Sequence, residues 1–246
     1  EDEDEAMGLS MDIRDAEARY IPEQLRTTME LTGHWGAVRV VPQETTGAEL
    51  LVKGTIIASD GEQLALQIKA LDASGREWFD RAYEQELIEG VYKARGLIRN
   101  PPSQDVFQSL YNTIANDLAE FRRTLTAGDI ESIRQVAELR FAADLSPEAF
   151  ADDLQVDKNG RYTVVHLPAA DDPMYQRVLA IRDRDFLLID TLNGHFDNFC
   201  REMDTPYNEW RKARSEEAAA LRKVERDALQ RKLIGVAAIL GAIALE

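Results

Sequence analysis

Three histidines, one cysteine and two small groups of carboxylates are the residues from which this chain would have to build a reactive site. His34, His166 and His195 fall far apart and in no HxxxH or HExxH spacing, so no metal set reads out of them. Cys200 is the only cysteine; it has no partner for an internal disulfide and reads as a small helix-packing residue. Glu77 and Asp80 have the chemistry of an acid–base pair, but three apart on a strand they point to opposite faces. With His34, Trp35, Arg76 and Arg81 they read as a solvated sheet edge whose aromatics, Trp78 and Phe79, pack inward. Asp183, Asp185, Asp190 and His195 are the other candidate metal group. Asp183 and Asp190 share a helical face one heptad apart, yet His195 does not follow Asp190 at i+3 or i+4, and Arg182 and Arg184 make Asp183 and Asp185 ordinary surface charge. GxSxG, GxGxxG and Walker patterns are absent. The expectation is a protein without catalytic, cofactor-binding or metal-ligating residues, and not an enzyme.

The elements that would carry such residues begin with a helix from about Asp12 to Thr32. Its apolar positions Ile13, Ala16, Tyr20, Leu25 and Met29 keep helical spacing, Pro22 is a candidate kink, and Gly33 is a natural stop. Trp35 to Pro42 reads as a strand. Leu50 to Ala58 and Leu64 to Ala70 alternate in and out around the turn Ser59-Asp60-Gly61-Glu62, and Asp72-Ala73-Ser74-Gly75 leads into a return strand from Arg76 to Gln85. These segments predict a four-stranded antiparallel sheet over 36–85, covered by the first helix, with Val52, Ile56, Leu64, Leu66 and Ile68 buried. Residues 88–102 read as a connecting loop.

The period then becomes helical. Phe107, Leu110, Tyr111, Ile114, Leu118 and Phe121 mark one stripe, and Ile130, Ile133, Val136 and Ala137 a second. Ser146-Pro147-Glu148 opens a short helix with serine as its cap. Arg161 to Leu167 reads as a lone strand. From Asp172 onward the chain is helical, with a local break expected at Asn193-Gly194 and a full one at Pro206. The fold class expected is α+β: a small antiparallel sheet with a covering helix, then a mostly α-helical region. The divisions are a disordered acidic start (1–11), an α/β domain (12–102), a helical region (103–232) and an apolar tail (233–246).

The formal charge of −16 over 246 residues argues against nucleic acid as a partner. The run Glu1 to Glu5, with neither an initiator methionine nor a signal peptide, fits a processed start. Residues 211–232 reverse the sign, with eight Lys/Arg against four Asp/Glu, and lead into an uncharged stretch from Leu233 to Leu245. That stretch falls short of the roughly 20 residues a membrane span needs. Leu233, Ile234, Val236, Ile239, Leu240 and Ile243 are therefore candidate contacts to another subunit or to an anionic membrane surface.

The segments Ala48-Glu49-Leu50-Leu51-Val52-Lys53-Gly54-Thr55-Ile56, Leu64-Ala65-Leu66-Gln67-Ile68 and Asp72-Ala73-Ser74-Gly75-Arg76-Glu77-Trp78 follow a helix and a strand. In that order they resemble the small α/β domain of bacterial envelope proteins: the amino-terminal domain of the Tol-system propeller protein, the periplasmic domain of the curli secretion lipoprotein, and lipoprotein activators of penicillin-binding proteins. The resemblance covers residues 12–86 alone. The helical half matches neither a propeller nor pore hairpins, so those activities do not carry over. It implies a binding and oligomerising module in the periplasm, in association with the outer membrane. The expected function is a non-enzymatic structural or accessory subunit of a cell-envelope assembly, with a second copy or an envelope protein as partner. The alternative is a soluble hydrolase or transferase with a site between the α/β and helical halves.

Overall fold

A computed structural model describes residues 11–88, 90–96 and 104–243, the side chains at 11, 12, 93, 96 and 225–243 excepted. The elements are α1 (Met11–Leu31), β1 (Leu50–Ser59), β2 (Gln63–Asp72), β3 (Glu77–Glu86), α2 (Val91–Gly96), α3 (Gln108–Arg123), α4 (Ala127–Leu145), α5 (Pro147–Phe150), a 3₁₀ turn, β4 (Leu154–Val156), β5 (Tyr162–Val164) and α6 (Pro173–Ile243). The fold is α+β, with a three-stranded antiparallel meander, β1-β2-β3, and a separate two-stranded sheet, β4-β5.

The meander forms where turn chemistry and alternation agree. At the first turn Asp60 accepts from the backbone N–H groups of Glu62 and Gln63, and Gly61 takes φ +87°, which glycine tolerates without steric cost. At the second, Asp72 accepts from the N–H groups of Ser74 and Arg76, the Ser74 hydroxyl and the Trp78 indole. Leu64, Leu66 and Ile68 are buried and Val52 and Ile56 pack against them as half-buried neighbours. Between Ala70 and Leu71 the pairing slips by one residue, leaving Trp78 as the extra residue of β3. Such a bulge turns successive side chains the same way, so Trp78 and Phe79 are both buried. Glu77 and Asp80 are consequently not on opposite faces, and their carboxylates lie 2.8 and 3.6 Å from Lys69 Nζ.

The expected fourth strand does not form. Residues 35–42 run along α6 instead, and Val40 exchanges both its backbone hydrogen bonds with the Asn193 side chain at 2.8 and 2.7 Å. A helix side chain thus takes the backbone groups that a sheet edge was expected to pair. The sheet's cover is also shared: α3 packs on β3 and α1 on α3, and Ile21, Leu25 and Met29 join the sheet residues and Phe107, Leu110, Ile114 and Leu118 in one core. Residues from both sides of position 102 therefore meet in it.

Four further expectations change. Residues 88–102 include a short helix, α2. The 161–167 strand shrinks to Tyr162–Val164 and is not alone, since it pairs with Leu154–Val156. Ser146 makes no side-chain cap hydrogen bond to α5, though Pro147 does occupy its first position. Helix α6 is unbroken at Asn193-Gly194 and at Pro206. A proline in a helix interior costs about 3 kcal/mol, and here Cys200, Tyr207 and Arg211, all buried, hold the helix to the body on both sides of it.

Candidate functional site

Among the described residues, one cluster of buried polar side chains draws on four elements. Glu17 and Tyr20 sit one turn apart on α1, Ser59 ends β1, Asp105 precedes α3, and Tyr207 and Arg211 lie at i, i+4 on α6, where side chains stack one above the other. Arg211 Nη1 donates to Asp105 at 2.7 Å and Nη2 to the Tyr207 hydroxyl at 3.0 Å. Tyr207 in turn donates to Glu17 at 2.5 Å, and Ser59 donates to the same carboxylate oxygen at 2.5 Å. The Tyr20 hydroxyl lies between Asp105 at 3.2 Å and Asp204 at 3.0 Å. The guanidinium carbon sits 3.9 Å from the centre of the Tyr207 ring and 5.0 Å from that of Phe107, a cation–π arrangement strengthened by desolvation.

Burial alone would lower the Arg211 pKa; the charge of Asp105, which also accepts a hydrogen bond from it, outweighs this and keeps the guanidinium ionised. Burial raises the phenols of Tyr20, Tyr111 and Tyr207, so they serve as neutral donors and acceptors. The Arg211 and Asp105 side chains are 0% exposed. The alternative hydrolase or transferase reading places its site between the two halves, and what lies there is this closed cluster. Its chemistry is that of a clamp. Gly61 tightens it: a Cβ there would lie 2.5 Å from the Arg211 carbonyl oxygen, so the β1–β2 turn presses directly on the α6 backbone.

Further polar contacts fasten α6 along its length. Tyr175 and Arg182 bond Glu138, Asp190 pairs with Arg39, Asp197 with Arg26, and Ser215 and Arg222 reach Glu62. Burial pushes the Glu23 carboxyl, beside Arg26, up to about 7; the Arg26 hydrogen bond opposes that rise and Asp197 adds to it. On the outer side of the clamp, α1 and α6 enclose an apolar groove of about 380 Å³. Ile13 and Ala16 form one wall, Phe199, Met203, Pro206 and Trp210 the other, and Tyr207 the floor. Arg19 is the one charged residue lining it. Trp210 stacks on Tyr207 with ring centroids 5.7 Å apart, and the Arg211 guanidinium lies against the same Tyr207 ring.

The residues singled out in the sequence do not converge here. Among the described residues no three His, Cys, Asp or Glu side chains gather as a metal site. Asp190 is engaged by Arg39, Arg182 pairs with Glu138, and Glu77 and Asp80 share Lys69. Cys200 is buried with Tyr20 and Tyr207, and burial pushes its thiol up to about 12. The side chains of Leu233, Ile234, Val236, Ile239, Leu240 and Ile243 lie outside those described, on the last turns of α6. Sequence reasoning missed Glu17, Asp105 and Arg211, whose sole local signal is the i, i+4 spacing of Tyr207 and Arg211. No family model matches the chain, and no curated protein or solved structure is detectably similar to it.

Proposed function

We propose that this chain is a non-enzymatic structural or accessory subunit of a bacterial cell-envelope assembly, acting through protein–protein contacts and self-association. The observation that carries the reading is α6 itself. It is a helix of 71 residues, about 105 Å long at 1.5 Å per residue, and polar contacts hold it to the body from Tyr175 to Arg222. It leaves Leu188, Leu192, Leu221 and Val224 exposed towards one face, and contiguous exposed apolar patches mark interaction sites. The enclosed state of the ionised groups between the halves also favours a scaffold.

The envelope placement rests on the strand-and-turn pattern of β1 to β3 and on the order of charge in α6. Its basic section, 211–232, leads into uncharged residues, an order suited to an anionic surface as well as to a protein partner. Among the described residues no helix is long and apolar enough to cross a membrane. The test compares the intact chain with one ending at Lys232, by sedimentation and by flotation with anionic phosphatidylglycerol vesicles. Self-association of the intact chain, or vesicle binding that is lost on truncation, supports the reading; an intact chain that is monomeric and ignores vesicles removes it.

A further inference from the structure

The outward side of α6 carries two features that the body leaves wholly or partly uncovered, Phe199 and Met203 being half-buried against Tyr20, Cys200 and Tyr207. The first is a stripe. Ile181, Leu188, Leu192, Phe199, Met203 and Pro206 follow one another at steps of seven, four, seven, four and three residues, the spacing that keeps apolar groups on one face of a helix. Ile181, Leu188 and Leu192 are exposed, and the stripe runs directly into the groove beside α1. The second is a line of charge. Arg177, Arg184, Glu202 and Glu209 are separated by seven, eighteen and seven residues, all close to whole numbers of turns at about 3.6 residues per turn. All four are exposed, and none has an ion-pair or hydrogen-bond partner among the described residues. Their neighbours on the inner side, Arg182, Asp190, Asp197 and Arg211, are all paired with the body.

The order of those charges is self-complementary. Two positive residues precede two negative ones, and both Arg184 with Glu202 and Arg177 with Glu209 are centred on residue 193. Turning a second α6 antiparallel about that point sets each arginine opposite a glutamate. Within half a residue of the same centre, Leu188 meets Phe199 and Ile181 meets Pro206, so apolar register and charge register coincide. We infer that the occupant of the groove and stripe is a second copy of this chain, packed antiparallel along α6 about a two-fold axis near residue 193. The contact is isologous, with the same patch contributed by both copies. The inference rests on the self-association proposed above and names its surface.

Because the contact is symmetric, one substitution alters it twice. Arg184→Glu and Glu202→Arg, both on exposed positions, each place like charges opposite one another at two points. Each is expected to weaken self-association about tenfold or more, since ion pairs of this kind set register and exclude wrong partners. Mixing the two variants restores opposite charges at both points, as does the double variant R184E/E202R. Sedimentation of each variant alone, of the mixture and of the double variant reads this directly. Weak association of each single variant, with recovery in the mixture, is the expected result. If the unaltered chain associates and the single variants match it, this surface is wrong while self-association stands. If the unaltered chain is a monomer throughout, both fail.

Discussion

The sheet core and the α6 clamp are both buried, but they are held in different ways. The core around Leu64, Leu66, Ile68, Ile114 and Leu118 is apolar and joins residues by shape. The clamp joins Arg211 to Asp105 and Tyr207 to Glu17 by charge and directed hydrogen bonds. The core tolerates exchange of one hydrocarbon for another of equal volume. The clamp does not tolerate the loss of one partner, because the other is left charged in a medium that cannot solvate it. The difference suggests a division of labour, in which the core supplies stability and the clamp fixes where α6 sits on the body.

The sharpest break of that comparison is Arg211→Ala. It strands Asp105 and is expected to cost about 3–5 kcal/mol, read from urea denaturation. Replacing both ions with hydrocarbon, Arg211→Met with Asp105→Leu, should recover part of that loss. If the single variant costs no more than a surface substitution, the clamp is not what holds α6. In the core, Leu66→Ala should cost about 2–4 kcal/mol from lost transfer energy and the cavity left behind, with the fold otherwise unchanged.

The two regions also differ in how far they could be read before the structure. Period-two alternation in 64–70 and the Asp-Gly turn depend on neighbours in sequence, and the burial of Leu64, Leu66 and Ile68 followed from them. The clamp depends on residues as distant as Glu17 and Tyr207, which chain topology alone brings within 2.5 Å. The same reason explains two misread breaks. Pro206 and Asn193 carry local breaking tendencies that tertiary contacts override, Asn193 by spending its amide on Val40. The 35–42 segment has strand-like composition, but its hydrogen bonds are taken by that amide. The bulge at Trp78, which brings Glu77 and Asp80 together, leaves no sequence signal distinct from an ordinary strand.

A smaller effect separates the regions by pH. Glu23 has its carboxyl raised from an ordinary 4.5 to about 7, chiefly by burial. The folded state then holds this proton more tightly than the unfolded state, so its contribution favours folding below about 4.5 and is lost as pH rises through about 7. Glu23→Gln should flatten that part of the stability–pH profile, whereas Leu66→Ala should shift the whole profile down in parallel. An unchanged slope in Glu23→Gln would mean that the carboxyl is ionised in the fold and satisfied by Arg26.

The central claim is that α6 is fixed to the body so that its open side can bind another copy. Its most direct test is the mass of the intact chain by sedimentation velocity over a dilution series at moderate salt. The account predicts a species of about twice the 27.7 kDa protomer mass, or a multiple of it, that dissociates on dilution. It should also weaken as salt screens the Arg–Glu contacts. A sharp boundary at the protomer mass at every concentration and salt condition would contradict it.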